Sequence, residues 1–233
     1  MKTVLFDMDG TLHYMDQDKF TKEYFGNLCA YFAPKGYDPE KLAKGVVKGT
    51  YAMAANDGSK TNKDVFWQTF AEFFGGDVCS HTEFFEEFYI NEFNKAKDTC
   101  HPFDGADGLI KSLKAKGYKI VLATNPVFPM IAHYNRIKWA NLDKDDFDYI
   151  TSYENSHFCK PNPLYYKEIL EVTGTKAEDA VMVGNDVTED MAAEKAGIKT
   201  YLVTDCLINR KNEDISKYLN GSFEEMANYL KNL

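Results

Sequence analysis

Basic charge, long apolar runs and closely spaced cysteines are what this 233-residue chain has least of. Its 27 Lys and Arg face 36 Asp and Glu, a formal charge of -9. That balance excludes a general attraction for nucleic acid as a polymer or for an anionic membrane surface, both of which need clustered cations. No segment offers the roughly 18 consecutive apolar residues of a membrane-spanning helix. No charged leader with an apolar stretch behind it precedes the first strand-like run, so the chain is expected to be cytoplasmic. The five cysteines, Cys29, Cys79, Cys100, Cys159 and Cys206, are odd in number, widely spaced and without a Cys-x-x-Cys pair, which argues against a disulfide framework or a zinc cluster. The five histidines form no i, i+4 ligand pair, and no repeat or low-complexity segment is present. What remains is an ordinary globular composition, 44% hydrophobic, long enough for one full core or one core with an appended layer. The acidity reads mostly as solubility.

One stretch departs from that background. Thr3-Val4-Leu5-Phe6 reads as a buried strand, and it runs directly into Asp7-Met8-Asp9-Gly10-Thr11-Leu12. Two carboxylates about 4 Å apart repel by roughly 4 kcal/mol at an effective dielectric near 20. A buried strand end has no need of them unless something offsets that cost. A divalent cation with a preference for hard oxygen ligands does so, and Gly10 lets the backbone turn sharply beside it.

Two patterns divide the rest of the chain. From about Lys19 to Asn94, apolar residues recur at three- and four-residue spacing: Phe20, Tyr24, Leu28, Tyr31 and Phe32, then Leu42, Val46 and Met53, then Phe66, Phe70, Phe73 and Phe74, then Phe84, Phe85, Phe88 and Tyr89. They predict four amphipathic helices whose aromatic stripes form a small core, broken at Pro34-Lys35-Gly36, Asn56-Asp57-Gly58 and Gly75-Gly76. After Pro102, short β-rich runs (118–123, 149–152, 180–183 and 200–203) alternate with helix-length segments, the signature of a parallel sheet covered on both faces. The predicted fold class is α/β: a Rossmann-like parallel-sheet core of residues 1–14 and 101–233, with residues 15–100 inserted as a helical cap domain. Tyr14–Asp18 and Asp98–Phe103 cross between the layers and are candidate hinges.

Ligands of open parallel sheets bind beyond the carboxyl ends of the strands, and polar residues end several strands here. Ile120–Ala123 runs into Thr124-Asn125-Pro126, and Val181–Val183 runs into Gly184-Asn185-Asp186, with Asp190 four residues further on. Lys160 lies in the loop after the strand near 149–152, just ahead of a helix expected to begin near Pro163. Thr124 and Asn125 before Pro126 also suit a helix N-cap, and Asp190 also suits an acidic helix start.

Taken in chain order, with Lys160 third and Gly184–Asp190 fourth, the four segments resemble the motifs of the haloacid dehalogenase superfamily, chiefly Mg-dependent phosphohydrolases, along nearly the whole chain. The resemblance implies that Asp7 is the nucleophile and that Asp9 is the acid-base, lending its carbonyl to Mg2+. It implies that Thr124, Asn125 and Lys160 bind phosphate. Asp7, Asp9 and Asp186 then hold the metal, supported by Gly10, Asn185 and Asp190. The fourth motif departs from the common pattern, since Asn185 stands directly after the glycine where an acid is usual. Asn185 and Asp186 are thus alternative metal positions, with Asp186 preferred because a carboxylate holds Mg2+ better than an amide oxygen. The implied reaction is hydrolysis of a small phosphorylated metabolite. Dehalogenase, phosphonatase and phosphomutase chemistry, or a non-catalytic phosphate- or metal-binding module, are the alternatives. A phosphonatase needs a cap lysine, for which Lys44, Lys48, Lys60 and Lys63 are candidates. His13, Tyr14 and the Asn56–Ser59 turn are the candidates for the substrate cavity wall.

Overall fold

Four consecutive buried residues, Thr3–Phe6, form β1 at the centre of a six-stranded sheet. In the computed structural model, which describes residues 2–75 and 82–233, β1 is followed by β2 (His13–Met15), β3 (Cys100–Pro102), β4 (Lys119–Leu122), β5 (Tyr149–Ile150), β6 (Ala180–Gly184), β7 (Lys199–Val203) and β8 (Asn220–Gly221). The large sheet runs in the order β5-β4-β1-β6-β7-β8, and every pairing in it is parallel. β1 pairs with β4 on one side and β6 on the other, so the chain order reverses direction at β1. The crevice beyond its carboxyl end is where such sheets bind ligands.

Eight α-helices are described: α1 (Gln17–Phe32), α2 (Pro39–Ala54), α3 (Asn62–Phe74), α4 (Thr82–Ile90), α5 (Ala106–Ala115), α6 (Met130–Trp139), α7 (Pro163–Thr173) and α8 (Phe223–Lys231). Local chemistry sets several boundaries. Asp16 and Asp38 cap α1 and α2 through the backbone N–H groups of Lys19 and Lys41, and Pro39 occupies the first turn of α2. Asn162 caps α7, Pro163 opens it, and Gly174 closes it at φ +61°.

Apolar side chains on the two faces of the sheet pack against α5 and α8 on one side and α7 on the other. A separate cluster joins α1–α4: Phe20, Tyr24, Leu28, Phe32, Leu42, Val46, Met53, Phe66, Phe70, Phe85 and Phe88 are buried together. These are the periodic apolar positions of the sequence, with Phe84 left exposed. Of the expected turns, the one at Pro34–Gly36 holds a short 3-10 helix, Ala33–Lys35. Gly76, Cys79 and His81 lie outside the described residues.

Tyr14–Asp18 and Asp98–Phe103 are not open linkers. β2 and β3 pair antiparallel between them, with Tyr14 opposite His101, and the two rings stack 6.2 Å apart. Three-residue strands carry almost no periodic signal, which explains why sequence reasoning sees only a crossing point. β8 is missed for the same reason.

α2 and α3 lie close together because Gly45 and Gly49 present bare backbone to the rings of Phe70 and Phe66. A Cβ added to Gly49 meets Phe66 Cδ2 at 2.5 Å. Ala is a better helix former than Gly by about 1 kcal/mol, yet Gly49→Ala is expected to destabilise the protein by about 1–3 kcal/mol, because a packed ring has to move. Urea denaturation measures this, and a stabilised variant contradicts the packing.

Candidate active site

Asp7 continues β1 by one residue, its N–H donating to the Val183 carbonyl at 2.8 Å, so its side chain is held at the sheet's carboxyl edge. Lys160, from the loop ahead of α7, donates to Asp7 Oδ1 at 2.8 Å and to Asp190 Oδ1 at 2.6 Å. The side chains of Lys160 and Asp190 are each 1% exposed. Asp190 Oδ2 in turn accepts the Asp186 N–H at 2.9 Å. Burial works against the charge of Lys160, but the Asp190 and Asp7 carboxylates outweigh it and hold the ammonium pKa well above the usual lysine value. Burial pushes Asp190 upward and Lys160 opposes the rise, while Asp7 adds to it. The hydroxyls of Tyr165 and Thr151 both donate to the Thr124 carbonyl, at 2.8 and 2.7 Å, and Thr124 lines the same cavity as Asp7. Asn125 donates to Glu189 at 3.1 Å, while its buried Oδ1 has no partner.

The two candidates of the fourth motif both line the cavity, and both carry hydrogen bonds. Asn185 is occupied at both ends: Oδ1 accepts from Thr11 at 3.2 Å and Nδ2 donates to the Cys206 carbonyl at 2.7 Å. It fastens the loop after β1 to the loop after β7. Gly10, with φ +81°, packs directly against it: a Cβ there meets Asn185 Nδ2 at 2.3 Å. Asp186 lines the cavity. Its Oδ1 accepts from the Thr188 and Glu189 N–H groups, and its Oδ2 accepts from Arg210 at 2.6 Å.

Asp9 has partners that the sequence does not show. Its carboxylate is not free: Oδ1 is bonded to His13 Nε2 at 2.8 Å, and Oδ2 forms an ion pair with Arg136. Arg136 is 2% exposed, lies on α6 and sits over the Phe128 ring. Burial lowers its pKa to about 10, with Asp7 opposing the shift. Burial likewise lowers His13, and His133 beside Arg136, to about 4, so both rings are neutral near pH 7. Nothing in the sequence marks Arg136, since a lone basic residue on a helix reads as a solvated charge. His13 was visible only as a candidate wall residue. It is fully buried and bonded to Asp9 instead, while Tyr14 lines a separate depression with Cys206. Asn56 is turned to Lys60 and Asn62.

The cavity above these groups has a volume of about 870 Å³. It lies between the sheet's carboxyl edge and α1–α4, lined on one side by Asp7, Asp9, Thr124, Asn125 and Asp186 and on the other by aromatic residues such as Phe20 and Trp67. The acids Asp7, Asp9, Asp186, Glu189 and Asp190 outnumber Lys160, Arg136 and Arg210 by two formal charges. Among the described residues no three His, Cys, Asp or Glu side chains converge as a metal cluster. Mg2+ takes oxygen ligands and is commonly held by one or two carboxylates with water. The charge excess and the all-oxygen donor set fit that ion.

The haloacid dehalogenase-like hydrolase profile matches residues 4–203, and the chain belongs to that family. It is 25% identical over 202 residues to the phosphoglycolate phosphatase of Aquifex aeolicus, covering 87% of this chain and 84% of that protein. It is 26% identical to pyrophosphatase PpaX of Bacillus cereus, covering 88% and 83%. A match to pyrophosphatase PpaX of Halalkalibacterium halodurans, 28% identical, covers only 44% of this chain and 46% of that protein. Among solved structures, a HAD phosphatase from Thermococcus onnurineus superposes with TM-score 0.59 at 19% identity, covering 99% and 98% of the two chains. The HAD-hydrolase YfnB of Bacillus subtilis, bound to magnesium, superposes with TM-score 0.58 at 21% identity, covering 100% and 99%. At these identities the structures share the fold.

Gly184 is the point at which backbone and site meet. A Cβ there lies 2.1 Å from Asp190 Cγ, and Asp190 cannot retreat without giving up Lys160 and the Asp186 N–H. Gly184→Ala is expected to cost about 2–4 kcal/mol of stability and to lower hydrolytic turnover roughly 10- to 100-fold. Denaturation and kcat measured on the same preparation check both, and unchanged turnover contradicts the assigned linkage.

Proposed function

We propose that the chain is a Mg2+-dependent phosphohydrolase that cleaves a small-molecule phosphomonoester through an aspartyl-phosphate on Asp7. The observation that carries this reading is the buried Lys160 donating to Asp7 Oδ1 at 2.8 Å and to Asp190 at 2.6 Å at the floor of a cavity. An aspartate fixed beside a buried ammonium keeps its aim, and phosphoryl transfer asks mainly for positioning and charge stabilisation. The named phosphatases among the relatives support the same class.

In the first half-reaction an oxygen of Asp7 attacks phosphorus and the bond to the leaving oxygen breaks, with Asp9 giving that oxygen its proton. In the second, Asp9 takes a proton from water, the hydroxide attacks phosphorus, and phosphate leaves with Asp7 restored. Arg136 and His13 hold Asp9 in a set orientation, so before the first turnover Asp9 leaves the Arg136 ion pair and takes up one proton from solvent; each cycle then regains that proton from the attacking water. Thr124, Asn125 and Lys160 cradle the phosphoryl oxygens. Asp7, the carbonyl of Asp9 and Asp186 would hold Mg2+, with Asp186 favoured over Asn185 because a carboxylate holds the ion better than an amide oxygen. When bound, the ion shields the phosphate charge from the attacking carboxylate. Residues 15–100 act as the cap, whose closure excludes bulk water, with β2 and β3 as the two strands connecting it to the core.

Phosphonate hydrolysis is the second reading, and one residue now carries it. Lys44 pairs with Glu40, Lys48 lies over Phe73 and Lys60 donates to Gln68, while Lys63 lines the cavity. Borohydride inactivation in the presence of a phosphonate-bearing aldehyde supports it; full protection of activity rejects it.

Hydrolysis of a chromogenic phosphate with Mg2+ tests the main reading. Turnover is expected to stop on chelation and return with added Mg2+, and Asp7→Asn is expected to lower kcat roughly 1,000-fold or more with the fold intact. Chelator-insensitive turnover, or full activity of the variant, contradicts it.

A further inference from the structure

The proposed catalytic groups occupy only one end of the cavity. Away from Asp7 its wall is apolar and mainly aromatic: Phe20, Tyr24, Phe66 and Trp67 project from the helices, and Phe128 and Tyr153 from the loops after β4 and β5. These rings pack edge-to-face and stacked on one another, as in Phe66 with Trp67 at 5.4 Å and Tyr24 with Phe128 at 5.5 Å, so the wall is rigid. Towards solvent the same cavity is lined by Val47, Tyr51 and Ile90, which are 40%, 73% and 56% exposed. Large apolar groups left in water beside a cavity of about 870 Å³ mark a binding surface rather than a consequence of folding.

The charged side chains on this part of the wall do not form an anion site. Lys63 is accompanied by Glu86 and Glu154, and Glu154 is already committed to the Met130 N–H at 3.0 Å. A small, highly charged leaving group would meet net negative charge and leave the rings wetted. We propose, resting on the phosphohydrolase reading above, that the substrate is a phosphomonoester whose leaving alcohol carries a bulky aromatic body, packed on the wall that Phe20, Phe66, Trp67 and Phe128 present to the cavity. Phosphate sits at Asp7 and Lys160, and the ring system runs outward towards Tyr51.

The test compares naphthylethyl phosphate with ethyl phosphate, using the whole chain with Mg2+. Both leave as primary alkoxides, so the chemical step is matched and the difference reports the body of the alcohol. The expected ratio of kcat/KM is roughly 100-fold or more in favour of the naphthyl ester. Trp67→Ala is expected to lower that ratio roughly tenfold. Tyr51→Ser, at an exposed position where folding is undisturbed, is expected to lower it in the same direction. Equal or faster turnover of ethyl phosphate overturns the aromatic substrate while leaving the phosphohydrolase standing. A ratio that neither variant moves also overturns it. Hydrolysis of no phosphomonoester overturns the phosphohydrolase reading and this inference with it.

Discussion

One buried ammonium group ties the candidate site to the fold. Lys160 reaches two carboxylates that belong to different strand ends, Asp7 after β1 and Asp190 after β6. Its own loop follows β5, at the sheet's edge. Taking a lysine and an aspartate out of water to 1% exposure is costly, and only close, hydrogen-bonded partners offset that cost. The ion triad can form only if β1 and β6 lie side by side with their ends level, which is the register observed, with Phe6 opposite Val183. Gly184 makes room for Asp190, the Asp186 N–H completes its hydrogen bonding, and Tyr165 and Thr151 fix the Thr124 carbonyl nearby.

A second set of interactions governs Asp9. Arg136 and the neutral ring of His13 hold it, so the two aspartates of one short segment face different chemistry. Asp7 has the Lys160 ammonium on one oxygen and lines the cavity. Asp9 has a guanidinium and an imidazole on its two oxygens. Environments that differ in this way are how neighbouring carboxyl groups come to play different parts.

Much of this was legible in the residues themselves. A four-residue apolar run ending in Asp-Met-Asp-Gly is hard to account for as core alone, and polar residues after three further strands pointed to the same sheet edge. The spacing Asp186-x-x-x-Asp190 was legible as well, because one turn separates the two acids. Arg136 was not, since its partner lies 127 positions away in the chain and its burial depends wholly on how α6 meets the sheet. His13 was visible only as a candidate for the cavity wall, not as a partner of Asp9. The aromatic periodicity of α1–α4 correctly marked a helical core, yet period alone cannot show that Phe20, Phe66 and Trp67 also face a cavity. That depends on the short β2–β3 ladder, which sets the layer over the sheet and leaves hardly any pattern in the sequence.

The central claim is that Asp7 takes the phosphoryl group covalently beside Lys160. Its most direct test is acid quenching of the protein during turnover, followed by peptide mass spectrometry of the segment holding Asp7, with Asp9→Asn used to slow the second half-reaction. The account predicts that this peptide gains the mass of one phosphoryl group and loses it on treatment with hydroxylamine. Steady release of phosphate with no modified Asp7 peptide at any quench time, in either protein, contradicts it.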